Sequence, residues 1–184
     1  MVEEAAMKTV SVEIGDDLYD YLDFLEKMRF IRNKEEAVAK ALRFFQRLAM
    51  HNWLPHIYRI EDDRVILLER GMFLDIFETM TEEEIYNVGR ISALKRKVMK
   101  PDLRDVDLTK PTNWGIVLKE LQNLGWGTFT RTRNEIKAEY CAVHTLYLRG
   151  YLETMFKVDL REHRTEIPGL VIFIAGEPKM EAWR

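Results

Sequence analysis

The sequence predicts a chain of the α+β class: a short helical N-terminal block and a larger C-terminal block of helices against an antiparallel sheet. Three observations lead there. Val10, Val12 and Ile14 alternate with Thr9, Ser11 and Glu13, the period of a half-buried strand. Apolar residues then recur at helical spacing through residue 49, and Pro55 in "HNWLPH" (51–56) marks a joint. Beyond it, helical and strand-like runs alternate up to the apolar stretch "GLVIFIAG" (169–176).

In order, Gly15 and Asp16 open a first helix whose early turns are acidic (Asp16, Asp17, Asp20), as the helix dipole favours. Leu18, Leu22 and Leu25 form its stripe, widened by Tyr21 and Met28. The basic break "RFIRNK" (29–34) separates it from a second helix, capped by Asn33 and running to about Ala49. Ala37, Val38, Ala41, Leu42, Phe45 and Leu48 are its apolar side. A strand and two striped helices in so few residues cannot bury their own apolar surface, and a two-fold dimer would.

In the second block "IYRIEDDRVILLE" (57–69) reads as a hairpin turning at Glu61, Asp62 and Asp63. A helical region spans about 72–100, interrupted near "TMTEEE", where Thr81 and Glu84 have the capping-box spacing. Residues 100–113 are a loop with two prolines. "WGIVLKELQNLG" (114–125) is a helix stopped by Gly125, and 126–143 holds two strands turning near Asn134. Residues 144–159 read as a helix, with Leu146, Gly150 and Met155 inward, and 169–176 as a strand buried on both faces.

Composition excludes several classes. The 184 residues carry a net charge of −3 and 47% hydrophobic residues, so the chain is neither globally basic nor disordered. One cysteine, Cys141, rules out an intramolecular disulfide framework and fits a reducing compartment. No run of 18 apolar residues is present and the start "MVEEAAMKTV" is acidic, so a cytoplasmic protein without membrane partners is expected. No Gly-rich phosphate loop or nucleophile-base pair stands out, so no enzyme is expected and no particular cofactor is implied. Cys141 and His144, with His51, His56 and His163, are the only soft ligand set, and a lone Cys beside a strand is more often a small hydrophobe than a metal ligand.

"TVSVEIGDDLYDYLDFL" and "RNKEEAVAKALRFF" resemble the ribbon-helix-helix family, the Arc, MetJ and CopG type, over residues 7–49. The resemblance implies an intertwined homodimer whose paired strands enter the major groove of double-stranded DNA. On that footing Thr9, Ser11 and Glu13 would read bases, and Arg29, Arg32, Asn33 and Lys34, at the start of the second helix, would hold phosphate. Glu13 is acidic where the family more often has a basic or neutral group, and residues 1–50 hold eight Lys/Arg against ten Asp/Glu.

Residues 57–184 bear a weaker likeness, over about 75–176, to the vinyl-4-reductase ligand-sensing domain. It lies in "EEIYNVGRISA", "VLKELQNLGWGTF" and "HTLYLRGYLETMF". That resemblance implies a regulator controlled by a small apolar or anionic ligand; the paired cysteines common near the family's C-terminus are absent here. Trp114, Trp126, Phe129, Tyr140, Tyr147, Tyr151 and Phe156 are candidate pocket walls, though such density is more often plain core. "RISALKRKVMK" (90–100) and "TRTR" (130–133) are basic runs that suit either phosphate contact or a solvated face. Two other readings stay open: a ligand-binding protein that uses the N-terminal segment only to oligomerise, and an antitoxin-like module that grips a protein partner.

Overall fold

The computed structural model describes residues 8–48, 50–55, 57–60, 63–100, 103, 105–163 and 165–178. Met7, Ala49, His56 and the turn residues Glu61 and Asp62 therefore lie outside the described residues. The chain divides into two compact units, Met1–Ile66 and Leu67–Arg184.

In the first unit, α1 (Asp16–Lys27) and α2 (Lys34–Arg47) form where the acidic start and the Asn33 cap predict them. Residues 8–15 carry no regular secondary structure within the single chain. A 3-10 turn, Met50–Asn52, leads to a small hairpin of β1 (Tyr58–Ile60) and β2 (Asp63–Val65), paired Tyr58 to Val65. The sequence reading placed this hairpin in the second block, but its contacts run backwards. Trp53 Nε1 donates to Arg59 O at 2.6 Å, and the Trp53 and Tyr58 rings lie 4.6 Å apart.

The second unit holds α3 (Arg70–Glu78), α4 (Glu82–Met99), α5 (Trp114–Asn123) and α6 (Thr145–Phe156). Its antiparallel sheet comprises β3 (Thr128–Thr132), β4 (Glu135–Glu139), β5 (Val158–His163) and β6 (Val171–Pro178), in the order β3-β4-β6-β5. The break between α3 and α4 is the predicted capping box: Thr81 Oγ1 accepts from Glu84 N, and Glu84 Oε2 accepts from Thr81 N at 2.7 Å. α5 ends before Gly125, whose φ of +80° continues no helix. β3 and β4 turn through Arg133 and Asn134, with Arg133 supplying the positive φ that a two-residue hairpin demands.

Two expectations fail here. Residues 158–159 belong to β5, not to the preceding helix, because Lys157 takes a left-handed φ of 54° and ends α6 without a glycine. Val158 and Leu160 then alternate inward with exposed Asp159. Secondly, β6 is buried on one face only. Val171 and Phe173 are buried, whereas Ile172 is partly exposed and Ile174 is 41% exposed. Phe173 sits opposite Ile136 and Val171 opposite Ala138, so the buried residues of neighbouring strands share one face.

The core joins that sheet face to α4, α5 and α6, with Trp114 stacked on Phe156 at 4.5 Å. α4 and α6 meet backbone to backbone. A Cβ on Gly89 would stand 2.2 Å from Tyr147 O, and one on Gly150 2.2 Å from Tyr86 O, so only glycine permits this crossing. Beside it, Tyr86 O–H donates to Glu153 Oε2 at 2.5 Å and Leu160 N donates to Glu153 Oε1 at 2.9 Å, which satisfies a buried carboxylate.

Candidate functional site

The N-terminal arm follows from its alternation. An extended chain sends successive side chains to opposite sides, so Val10, Val12 and Ile14 share one side and Thr9, Ser11 and Glu13 the other. Both sets are exposed in the single chain, Val10 by 82% and Val12 by 72%.

The α1–α2 turn is built by the backbone. Phe30 N donates to Leu25 O and Arg29 N to Glu26 O, the two bonds of a Schellman motif. Arg29 therefore occupies the left-handed position where glycine is usual, at φ 59°. Asn33 then caps α2, its Oδ1 accepting from Glu36 N at 2.9 Å.

Glu36 organises the basic break. Its Oε2 accepts from Arg32 N at 2.8 Å and from Arg32 Nε at 3.2 Å, while Oε1 lies 3.0 Å from Lys40 Nζ. The Arg32 amide, then the Lys40 ammonium and the Arg32 guanidinium, hold its carboxyl at about 2, well below the ordinary 4.5. Lys34 ties the two helices together. Its Nζ lies 3.3 Å from both Asp23 Oδ1 and Glu26 Oε2 and 4.7 Å from the centre of the Tyr19 ring. The hydrogen bond to Asp23 is the main reason its pKa rises, against the opposing pull of desolvation.

Of the four phosphate candidates, Arg32, Asn33 and Lys34 thus have partners inside the chain, and Arg29 stands exposed beside them. Arg29 and Arg32 come together around a hollow of about 380 Å³, with Phe30, Ile31, Glu26 and Glu36 as the other walls. The sequence reading missed the clamping by Glu36 and the bridging by Lys34. A glutamate three residues after an Asn cap was the available signal for the first. Nothing local signals the second, since Asp23 lies eleven residues away.

In the second unit a hollow of about 320 Å³ is lined by Arg70, Cys141, Thr145, Glu162, Thr165 and neighbouring apolar groups. Thr165 Oγ1 donates to Leu170 O at 2.8 Å and so pins the loop that forms one wall. Burial pushes the Cys141 thiol up, although a hydrogen bond with the Val143 backbone and the nearby Arg70 charge oppose this. His144 Nδ1 accepts from Leu146 N at 3.2 Å and caps α6. Among the described residues there is no group of three or more His, Cys, Asp or Glu side chains able to hold a metal ion. Likewise, no described helix is long and apolar enough to cross a membrane.

The candidate aromatic walls are mostly core. Trp114, Tyr151 and Phe156 are buried, Trp126, Phe129 and Tyr147 pack against them, and Tyr140 is 85% exposed. Arg149 is half-buried and lies over the Tyr86 ring at 5.3 Å, with its Nε lacking a hydrogen-bond partner.

No protein-family profile, no curated protein and no solved structure matches the chain.

Proposed function

We propose that the chain is a DNA-binding transcription regulator: a ribbon-helix-helix homodimer whose paired arms read the major groove, controlled by a small ligand in the C-terminal unit. One observation carries the reading. Neither α1 nor α2 buries a single residue, although Leu18, Phe24, Leu42 and Phe45 among others stand on them. Two amphipathic helices with no core of their own need a second surface. A second copy supplies it and also gives the arm of residues 9–14 the strand it lacks.

Pairing the arms through Val10, Val12 and Ile14 turns Thr9, Ser11 and Glu13 outwards. Hydroxyls donate and accept, so Thr9 and Ser11 suit base edges, while Glu13 accepts from a cytosine amino group. Arg29 and Arg32 flank the ribbon as phosphate contacts, and Asn33 and Lys34 shape the turn that presents them. The hollow beside Arg70 and Cys141 is the candidate seat of the ligand.

Fluorescence anisotropy of the full chain on fragments of its own genome, across a salt series, tests this. Selective binding is expected to weaken steeply with salt. Changing Thr9 and Ser11 together to Ala should then cost tenfold or more in affinity, given about 1–3 kcal/mol per good base contact. Glu13, together with Glu35 and Glu36 in the first turn of α2, favours a second reading, in which the segment only oligomerises. A dimer that binds no fragment even at low salt would decide for it.

A further inference from the structure

The hollow of about 320 Å³ in the second unit lies at one end of the sheet's inner face, where Val171 and Glu162 line it. Val158, Leu160 and Glu162 share one side of β5, as alternation requires, and the first two are buried. Glu162 pairs across the sheet with Phe173, whose side chain is wholly buried, so the glutamate stands on the core-facing side. An apolar residue there would continue the core. The carboxylate is instead half-buried in the wall of the hollow, and among the described residues it has no ion pair or side-chain hydrogen bond. It loses hydration and gains no partner within the chain.

A cation lines the same hollow. Arg70 is exposed and opens α3, the helix end where the backbone dipole disfavours positive charge. Among the described residues it too has no ion pair, although Glu162 shares its hollow. Thr145, the first residue of α6, adds a hydroxyl, and Val143 and Leu170 add apolar surface.

We propose that the hollow binds a small zwitterion, a free amino acid, with its carboxylate on Arg70 and Thr145 and its ammonium on Glu162. This rests on the reading above that the hollow seats the regulatory ligand. Charge decides between the ligand classes. A simple anion is attracted by Arg70 and repelled by Glu162, and a simple cation meets the reverse. A neutral apolar molecule strips water from both charges and gives neither a partner. Only a ligand carrying both signs satisfies both side chains. Size agrees, because the hollow is at the small end of the roughly 300–1,000 Å³ range of small-molecule sites. An uncharged side chain on the ligand would lie against Val143 and Leu170.

Isothermal titration calorimetry of the full chain with each of the twenty free amino acids tests this. Binding is expected for one or more with an uncharged side chain. For the tightest of them, the analogue lacking the amino group and the analogue lacking the carboxylate should each bind at least tenfold more weakly. Glu162→Gln should cost the amino acid tenfold or more while leaving the analogue without an amino group no weaker. Arg70→Gln should do the same toward the analogue without a carboxylate. Both side chains reach solvent, so both variants should fold with the wild-type unfolding midpoint, and the two analogues test the wild type itself. An analogue with one charge that binds as tightly as the amino acid would overturn the zwitterion, as would undiminished amino-acid binding by Glu162→Gln. Binding by none of the twenty at millimolar concentration, with DNA binding intact, overturns the amino acid and leaves the regulator standing. Binding with the expected selectivity that leaves DNA affinity unchanged keeps the amino acid in its seat and overturns ligand control of DNA.

Discussion

The two units hold their helices by different means. In Leu67–Arg184, Trp114, Leu148, Leu152, Met155, Phe156 and Phe173 are essentially inaccessible, and α6 alone buries seven of its residues. Among the described residues of Met1–Ile66 none is buried, yet α1 and α2 are well-formed, capped and ion-paired. Capping and exposed ion pairs contribute about 1 kcal/mol each or less, and ordering a residue costs about as much. Local devices can therefore define where the first unit's helices start and stop but cannot hold them together. The second unit has a core of its own, and the described residues of the first have none.

The largest expected effect sharpens the second half of that contrast. Gly89→Ala puts a methyl group against the Tyr147 carbonyl and should destabilise the second unit by about 3 kcal/mol, read by denaturant unfolding at Trp114 or Trp126 fluorescence. The helices of the first unit should not respond, and an unchanged midpoint would break the account of the α4–α6 crossing.

Next comes concentration. If the first unit is completed by a second copy, its stability should fall by about 1.4 kcal/mol for each tenfold dilution. The second unit's core transition should stay in place. Circular dichroism beside tryptophan fluorescence, over three decades of concentration, separates the two. Coincident and concentration-independent transitions would remove the contrast altogether.

Arg29→Gly tests the turn. Relieving a left-handed non-glycine residue should stabilise the first unit by about 1 kcal/mol, while DNA affinity falls and the slope of its salt dependence drops by about one contact. Gain of both stability and affinity would contradict the phosphate role.

The smallest effect is that of Glu36. A carboxyl held near 2 when folded and near its ordinary 4.5 when unfolded contributes stability that is fully present above 4.5 and lost as pH falls toward 2. Glu36→Gln should remove that dependence, so the acid limb of α2 helicity flattens between those values. An identical acid limb in the variant would show that the Arg32 and Lys40 clamp contributes nothing.

How much of this was legible in the sequence varies with the range of the forces involved. The capping box at Thr81 and Glu84, the Asn33 cap, the stop at Gly125 and the turn at Asn134 are readable because each involves groups within about four residues of one another. The amphipathic stripes of α1 and α2 are readable for the same reason, and so is the strand-like alternation of 9–14, though a strand becomes one only when another chain segment bonds to it. Of the candidate site, the sequence marked the basic break but not which of its charges are already paired.

The sequence by itself marked an α+β chain, the caps at Asn33 and Thr81, the stop before Gly125 and the apolar stripes of α1 and α2. Only the tertiary structure decided that Lys34 binds Asp23 and Glu26, that β5 begins straight after Lys157, that one face of β6 stays open and that α4 and α6 touch at two glycines. The physical reason is separation along the chain. Caps and periodicity act over a few residues, whereas Tyr86 and Glu153 lie 67 residues apart and meet only because the backbone between them has folded.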